Sequence, residues 1–408
     1  MVHLIKTDEE AVEVARTLAR EFAEGAARRD AERALPHAEI EALSASGLLG
    51  ITVPPEHGGA GVRAATLGAV IRELSAADGS IGQIPQNHFW YVDAIREVGT
   101  PEQQAFFYRE VLAGRRLGNA AVDARAPDGS RTRVRLRPSA DGGRLLSGHK
   151  VYSTGALFAH WIPVAAFDDE DRHHTAYVPH DAPGLTVVDD WDGMGQRTTA
   201  SGTVLLDDVH VPADRIIPSH RAYERAGTFR SFGLLLHAAI DTGIAEGALA
   251  DGAAFLRGYT KGGWPRNPPT RVVDDPVVIQ RFGELAVLTR AARALLESAG
   301  DTIDEARAAI AETDDPEEAA RWEAEAAVAM AAARVQADSA ANRVTGEWFE
   351  LAGASASLRS LNLDRHWRNA RTHTLHDPRR LKVHDVGDYH LNGRAPARRP
   401  FDPRSERR

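Results

Sequence analysis

The sequence predicts an α+β protein in which a small β domain lies between two helical domains. Apolar residues recur at helical spacing until about residue 115, the period then falls to two, and helical spacing returns at about residue 218. These changes divide the chain into an N-terminal helical domain at 1–115, a β domain at 116–217, a C-terminal helical bundle at 218–393 and a basic tail at 394–408. We expect the tail to be disordered.

The N-terminal domain is predicted to consist of amphipathic helices. Residues 11–32 repeat small and apolar side chains between charges that would face solvent. A second helix begins near Pro36, and Thr100 is placed as the N-cap of a later helix that starts at Pro101. Residues 51–62 contain paired prolines and glycines, which predict a loop.

The β domain is predicted from residues that alternate in twos. Residues 131–155 alternate around a turn that contains Asp141 and two glycines, which predicts a hairpin. Four further short β-rich segments follow, at 160–167, 174–180, 185–191 and 201–212.

The C-terminal domain is predicted to be a bundle of long helices. One helix covers residues 232–259, and two alanine-rich helices cover about 275–311 and 316–352. Alanine-rich faces let long helices approach closely, which favours an antiparallel bundle.

Composition and charge exclude several classes of protein. The chain has 408 residues, of which 43% are apolar and 26% charged, enough apolar material for a sizeable core. It has no cysteine, so disulfides and thiolate sites are excluded. A net charge of −9 argues against binding to nucleic acid, and no apolar run predicts a membrane span or a signal peptide. We therefore expect a cytoplasmic enzyme.

The glycine-rich segment HGGAG does not predict a nucleotide site. Gly58, Gly59 and Gly61 do not lie between a strand and a helix, and no GxxxxGK[ST] sequence is present. A tight turn between helices explains them better. A Rossmann domain and a P-loop NTPase are therefore disfavoured.

Two histidines near the C-terminus could share one face of a helix. His373 and His376 are three residues apart in ARTHTLHDP, and Pro378 would end the helix. They could be structural, could bind a metal with Asp377 or His384, or could act as a base with its orienting partner. A metal site is the least favoured interpretation, because HExxH and an acidic cluster are both missing.

Two other segments carry weaker signals. His88 lies among aromatic residues in PQNHFWYVDA, which suits a planar ligand or a contact between helices. Ser153 and Thr154 follow a predicted strand, where hydroxyl groups could contact a ligand or form a turn.

Five segments, taken in order, resemble the acyl-CoA dehydrogenase superfamily. They are LGITVPPEHGGAGV, GNAAVDARAPDGS, LSGHKVYSTGALFAHW, DGMGQRTTASGTVLLDDVHVP and WFELAGASASLRSLNLDRHWRNARTHTLHDP. The second and third resemble the flavin-facing strands of that family, and the fifth resembles its C-terminal flavin and catalytic stretch. The resemblance covers nearly the whole chain and implies an N-terminal helical domain, a small middle β domain and a C-terminal four-helix bundle.

The position of the catalytic base distinguishes branches of this superfamily. Its dehydrogenases use a glutamate, most often followed by glycine, where this chain has Asp377 followed by Pro378. ARTHTLHDP instead resembles the flavin-dependent monooxygenases built on the same fold, which include dibenzothiophene monooxygenases and oxidoreductases of sulfur acquisition.

That resemblance implies a two-component monooxygenase. Such enzymes take reduced FMN from a separate NAD(P)H:flavin reductase, form a flavin C4a-hydroperoxide with O2 and oxygenate a small organic substrate, for which the resemblance implies an organosulfur compound. The alternatives are an FAD-dependent acyl-CoA dehydrogenase with Asp377 as its base, an N-hydroxylase of an amine, and a flavin-free scaffold. The resemblance also implies a homotetramer, with no nucleic-acid or membrane partner.

The resemblance also assigns site residues. Those implied at the reacting edge of the flavin are His376, His373, Ser153, Asn119 and His88. Those implied along the cofactor are Tyr91, Asn119, Ala121, Val122, Asp123, Ala124, Tyr152, Ser153, Ala354, Ser355 and His376. The candidates for binding the flavin phosphate are Lys261, Arg266 and Arg271, and no metal is expected.

These residue types fit the chemistry of oxygen activation. A hydroperoxide must be shielded from water, and Asn119 and Ser153 are neutral donors that could hold it without a strong acid. His376 could move a proton because histidine titrates near neutral pH, and His373 would orient it.

Overall fold

The computed structural model describes residues 2–125, 133–261 and 270–398. Its N-terminal part is helical. Within these residues the first seven helices are α1 (Asp8–Ala23), α2 (Ala26–Glu32), α3 (His37–Ala45), α4 (Ala64–Ala77), α5 (Gly79–Gln83), α6 (Gln86–Val98) and α7 (Pro101–Leu112). The predicted N-cap of α7 is confirmed: Thr100 accepts a hydrogen bond from the backbone N–H of Gln103, whose side chain bonds back to Thr100.

Two antiparallel sheets follow. Their strands are β1 (Val122–Asp123), β2 (Arg137–Pro138), β3 (Arg144–Val151), β4 (Trp161–Phe167), β5 (His173–Pro179), β6 (Leu185–Val188), β7 (Thr203–Val211) and β8 (Ile216–Ile217). One sheet has the order β1–β3–β7–β6 with β2 also paired to β3, and the other has the order β4–β5–β8. The predicted hairpin is confirmed, because Arg137 of β2 pairs with Leu145 of β3 across the turn at Asp141.

The two sheets share one apolar core. Val164 and Val178 come from the second sheet, and Val204 and Val209 from the first, and all four are buried in the same cluster. Residues 117–120 connect the sheets, since they form bridges to β4 immediately before β1 pairs with β3.

Long helices form the C-terminal domain. They are α8 (Phe229–Gly258), α9 (Pro276–Glu312), α10 (Pro316–Glu347), α11 (Phe349–Ala352), α12 (Arg365–His373) and α13 (Arg379–Asn392), with a two-residue strand pair, β9 (Thr260–Lys261) and β10 (Thr270–Arg271), after α8. The helices α8, α9 and α10 pack side by side, and α13 packs on α10. The fold is therefore the predicted α+β arrangement of a helical domain, a small sheet domain and C-terminal helices.

Helix α8 is the apolar centre of the molecule. It packs against α4, and Leu235 and Ile240 share one buried cluster with Leu67 of α4. A Cβ atom at Gly243 would lie 2.4 Å from the carbonyl oxygen of Arg72, so only glycine permits this approach of the two backbones. By length and composition alone α8 could cross a membrane, yet 83% of its most apolar window is buried inside the protein.

The start of the basic tail differs from the predicted disorder. Arg398 forms an ion pair with Glu323 of α10 at 2.7 Å, and Arg230 donates a hydrogen bond to the carbonyl oxygen of Ala397 at 2.6 Å. These contacts order the tail up to residue 398, because the basic side chain of Arg398 binds the carboxylate of Glu323 on the bundle. The remaining residues, 399–408, lie outside the described part of the chain.

A buried ion pair connects β1 and β3. Lys150 is fully buried, and its Nζ lies 2.6 Å from Asp123 Oδ1, which also accepts a hydrogen bond from the backbone N–H of Val134. Burial lowers the pKa of Lys150, and the carboxylate of Asp123 opposes that effect.

Removal of one partner of this pair should destabilise the protein strongly. We expect Asp123→Asn to lower the free energy of unfolding by about 3–5 kcal/mol, because it leaves a buried ammonium group without a counter-charge. Urea denaturation measures the change. The matched double variant Asp123→Leu/Lys150→Met should recover most of the loss, and an Asp123→Asn protein as stable as the parent would contradict the assignment.

Candidate active site

The strand β3 ends in a strained turn that exposes one aromatic ring. Tyr152 has φ +56°, a left-handed conformation that is unfavourable for a residue other than glycine, and its side chain is 60% exposed. Its ring meets that of Trp191 edge to face, with centroids 6.2 Å apart. The next residue, Ser153, is fully buried, and its backbone N–H bonds to the carbonyl oxygen of Gly202.

Two buried polar side chains at this turn have no partner among the described residues. They are the hydroxyl group of Ser153 and both amide atoms of Gln196, a residue that is 1% exposed. The segment that contains Gln196 is bonded to this turn. The hydroxyl group of Thr199 donates to the carbonyl oxygen of Gln196, and the backbone N–H of Gly155 donates to the carbonyl oxygen of Thr199. Each unsatisfied buried group costs about 1–3 kcal/mol, so such groups mark a place where a ligand can supply the missing bonds.

Asn119 connects helix α6 to this turn. Its Oδ1 accepts a hydrogen bond from the hydroxyl group of Tyr91 at 2.9 Å, and its Nδ2 donates to the carbonyl oxygen of Tyr152 at 3.2 Å. Tyr91 is buried, which raises its pKa and keeps it a hydroxyl donor. Asn119 therefore supports the strained turn and retains one N–H for a ligand. We call Asn119, Tyr152, Ser153 and Gln196 the strand-end cluster.

Both ring nitrogens of His88, a residue predicted at the reacting edge of a flavin, are bonded to the backbone. The backbone N–H of Leu117 donates to its Nδ1 at 3.1 Å, so its Nε2 carries the proton and donates to the carbonyl oxygen of Leu49 at 2.9 Å. Burial lowers the pKa of His88 to about 4, and the ring is neutral. With both nitrogens bound to backbone, we assign His88 a structural role.

The remaining residues predicted along the cofactor lie in two places. Ala121, Val122 and Ala124 run beside the end of β3, where Val122 pairs with Val151, whereas the side chain of Asp123 turns inward to Lys150. Ala354 and Ser355 lie in an exposed turn, and no hydrogen bond in the described part of the chain connects that turn to the strand-end cluster.

The candidates for binding a phosphate are only partly described. Arg271 is exposed and lies 3.8 Å from Asp274, whereas Arg266 and the side chain of Lys261 lie outside the described residues.

The two C-terminal histidines do not share one helix face as predicted. Helix α12 ends at His373, and His376 lies in the following turn, its backbone N–H bonded to the carbonyl oxygen of His373. The side chain that lies between them is His237 of α8. Its Nδ1 is 3.1 Å from His373 Nε2, and its ring stacks on that of His376 with centroids 4.0 Å apart.

A buried carboxylate holds the other side of His373. Asp241 Oδ1 lies 2.6 Å from His373 Nδ1, and its Oδ2 bonds to Arg334 of α10. Sequence reasoning missed His237, Asp241 and Arg334. The available signal was the pair His237 and Asp241, four residues apart in the mostly apolar stretch at 232–245, a spacing that predicts one shared face. We call His237, Asp241, Arg334, His373 and His376 the histidine cluster.

The electrostatics of the histidine cluster separate a charged side from a neutral one. Burial alone would raise the pKa of Asp241, but Arg334 and His373 outweigh it and lower that pKa, so the carboxylate is ionised. Burial and the neighbouring cations lower the pKa of His237 well below its usual value. His376 is exposed at the surface, yet the protein packed around its ring lowers its pKa to about 4, and the neighbouring His373 adds to this effect.

Asp377, the alternative base, is already engaged. Its Oδ2 lies 2.8 Å from the Nζ of Lys382, a lysine whose side chain is buried. The ammonium group competes for the carboxylate, which argues against Asp377 as a proton acceptor for a substrate.

The loop at 191–196 brings the two clusters together. The backbone N–H of Gln196 donates to Asn369 Oδ1 of α12 at 2.7 Å. A Cβ atom at Gly195 would lie 1.9 Å from the carbonyl oxygen of Arg368, so the loop lies directly on the helix backbone. The helix that ends at His373 is thus fixed to the loop that carries Gln196, and both clusters belong to one region between the β domain and the bundle.

Comparison with known proteins gives this region a context. The N-terminal domain of acyl-CoA dehydrogenase matches residues 6–115, and its C-terminal domain matches residues 235–378. Dibenzothiophene monooxygenase of Rhodococcus erythropolis is 31% identical over 404 residues, 95% of each chain. A probable FMNH2-dependent monooxygenase of Pseudomonas putida, SfnC, is 31% identical over 391 residues, 95% of this chain and 96% of SfnC. The crystal structure of FMN-bound TdsC from Paenibacillus sp. A11-2 superposes with a TM-score of 0.87 at 30% identity, covering 96% of this chain and 100% of TdsC.

Buried neutral histidines should make the protein sensitive to acid. The pKa of His88 is about 4 in the folded protein and about 6.5 in an unfolded chain, so the unfolded state binds more protons between these values. Stability is therefore fully present above pH 6.5 and falls as the pH drops towards 4, by about 3 kcal/mol from His88 alone. His160 and His173 shift the same way.

Urea denaturation at pH 7.5, 6, 5 and 4.5 measures this loss. His88→Gln should be less stable at pH 7.5 and should lose less stability than the parent as the pH falls. A free energy of unfolding that stays constant between pH 7 and 4.5 would contradict the neutral, backbone-bound ring.

Proposed function

The chain belongs to the acyl-CoA dehydrogenase superfamily, among its flavin-dependent monooxygenases, and we propose that it uses reduced FMN and O2 to oxygenate a small organosulfur compound. The observation that carries this proposal is the pairing of two features in one region. Unpartnered buried donors lie at the strand end, and a neutral, stacked histidine lies on the adjoining helical domain. Relatives that match over nearly the whole chain are dibenzothiophene and FMNH2-dependent monooxygenases.

The strand-end cluster fits the ring system of a flavin. A flavin is planar with polar edges, and here the buried hydroxyl of Ser153 and the remaining N–H of Asn119 are neutral groups beside the exposed ring of Tyr152. We infer that Val122 and its neighbours line the same ring, since they run along the end of β3. Reduced FMN, when bound, supplies the electrons that activate O2, and the protein positions and shields it. The FMN-bound relative favours FMN over FAD.

The histidine cluster supplies the proton chemistry. His376 is exposed and neutral near pH 7, so its ring has a nitrogen that can accept a proton from the site, and its lowered pKa makes it return that proton readily. Ser153 can donate a hydrogen bond without acting as a strong acid. The engagement of Asp377 by Lys382 weighs against the alternative of an acyl-CoA dehydrogenase.

A separate enzyme must deliver the reduced flavin under this proposal. The sequence has no dinucleotide-binding glycine motif with which to bind NAD(P)H itself. We therefore propose an NAD(P)H:flavin reductase as the functional partner, in line with the FMNH2-dependent relative. The sulfur preference comes from the dibenzothiophene-oxidising relative.

Stopped-flow spectroscopy tests this function. The protein is mixed anaerobically with photoreduced FMN, O2 is added, and absorbance is followed from the ultraviolet to the blue. We expect a transient band before the spectrum of oxidised FMN, and an oxygenated product when dibenzothiophene or a small sulfide is present. Direct return to oxidised FMN with full release of hydrogen peroxide, together with turnover of an acyl-CoA in the presence of FAD, would overturn the proposal.

Two neighbouring variants distinguish the proposed acid–base residue from the alternative one. His376→Ala should still bind reduced FMN but release hydrogen peroxide in place of product, because the proton acceptor is lost. Asp377→Asn is the matched control and should retain most of the product yield, since its carboxylate serves Lys382. Loss of product in Asp377→Asn with a mild effect in His376→Ala would contradict the assignment.

We also propose that the protein is a homotetramer. Its support is a set of exposed apolar side chains on α9 and α13, which contacts between copies of the chain would cover. They are Val277, Ile279, Val287, Leu295, Leu381, Val383 and Leu391.

Light scattering after size exclusion measures the assembly. We expect a mass about four times the 44.2 kDa of one chain. Val287→Glu should lower that mass because it places a charge in the apolar surface, whereas Val287→Ala should leave it unchanged. A monomeric parent protein would refute the tetramer.

A further inference from the structure

The histidine cluster contains a continuous path of contacts from a buried carboxylate to the exposed histidine. Asp241 binds His373 at 2.6 Å, His373 lies 3.1 Å from His237, and the ring of His237 stacks on His376. Among the described residues, Nε2 of His237 has no hydrogen-bond partner. The path therefore leads from a fully buried carboxylate to one ring nitrogen without a partner in the described part of the chain.

The hydrogen bonds allow two arrangements of one proton. When His373 is neutral, its Nδ1–H donates to Asp241 and its Nε2 accepts from the Nδ1–H of His237, which leaves His237 Nε2 as an acceptor. When one proton is added at His237 Nε2, the proton on His237 Nδ1 can move to His373 Nε2. His237 is then neutral again, and His373 is a cation paired with Asp241.

We propose that Asp241, His373 and His237 form a proton relay in which His237 exchanges a proton with the site at Nε2 while the charge resides on His373. The inference deepens the proposed oxygenation and rests on it for the identity of the reaction. His237 connects the relay to the site, and His373 and Asp241 are positioning residues. The atoms balance, since one proton enters at Nε2 and one leaves Nδ1 for His373.

The surrounding charges favour His373 over His237 as the place of that charge. The carboxylate of Asp241 contacts His373 directly and is itself ionised. Among the described residues, His237 has no hydrogen bond to a carboxylate, and the groups that act on its charge disfavour a second positive charge. Those groups are His376, His373, Arg334 and Lys382.

Arg334 sets how strongly the carboxylate can hold the added charge. It shares Asp241 with His373, and two of its other nitrogen atoms are buried without a partner in the described part of the chain. Asp338, one turn further along α10, is the second carboxylate near this guanidinium group, and its pKa is raised by burial and by Asp241. Asp241 therefore has two cationic neighbours, Arg334 and His373, only when His373 carries the added proton.

Nuclear magnetic resonance of the full chain without flavin tests the relay directly. The protein is labelled with 15N in its histidine rings on a deuterated background, and the ring nitrogen shifts are followed from pH 9 to pH 5. We expect His373 to become charged first in the cluster, and the proton of neutral His237 to move from Nδ1 to Nε2 over the same pH range. Charging of His237 itself, or an unchanged tautomer of His237 while His373 is charged, would overturn the relay.

Two substitutions of His237 separate proton transfer from simple packing. His237→Phe keeps a ring to stack on His376 but has no nitrogen, and His237→Asn keeps a hydrogen bond to His373 but no ring. We expect both to lose at least ten-fold in the ratio of product to hydrogen peroxide and to lose the pH dependence of that ratio, with KM for the substrate little changed. A His237→Phe protein with the ratio and pH profile of the parent would refute the relay in favour of packing.

A matched control and the spectroscopic readout keep the two proposals apart. His210→Asn alters an exposed histidine that pairs with Asp141 in the β domain, and its pH profile should equal that of the parent. The tautomer shift needs neither flavin nor substrate. If it is observed and no oxygenation occurs, the relay stands and the proposed reaction fails; if oxygenation occurs without the shift, the relay fails alone.

Discussion

The contact between the 191–196 loop and α12 is the constraint on which the candidate site depends. Gly195 brings the loop onto the helix backbone, and Asn369 binds the N–H of Gln196. The strand-end cluster belongs to the β domain and the histidine cluster belongs to the bundle, so neither domain alone holds both. A side chain at Gly195 would separate them, because its Cβ would overlap with the backbone of Arg368.

The apolar character of α8 determines the electrostatics of the site. Asp241 is placed on a helix that is buried over most of its length, and an isolated carboxylate there would be strongly destabilising. Arg334 and His373 supply the opposite charge and the hydrogen bonds that make the carboxylate tolerable. The same burial keeps His237 neutral, so the charge is held deep in the bundle and the exposed ring of His376 is neutral near pH 7.

Local sequence signals predicted the fold, whereas contacts across domains decided the site. The change of period predicted the order of domains, and turn chemistry predicted the hairpin at Asp141. The spacing of His373 and His376 would place both on one face of a helix, but α12 ends at His373 and His376 lies in the following turn. Gln196 was missed because the unsatisfied amide that marks it exists only after distant segments pack together. His237 carried a local signal, its spacing of four residues from Asp241, but its stack on His376 also depends on packing between distant segments.

The arrangement also explains how one fold can serve two kinds of chemistry. A dehydrogenase of this superfamily needs a free carboxylate to abstract a proton from carbon, and here the corresponding Asp377 is paired with Lys382. The other carboxylate of this region, Asp241, is buried behind His373. Its influence must pass through imidazole rings, which exchange protons without exposing a charge. Under the proposed function, a site built in this way favours reversible proton exchange over direct abstraction from carbon.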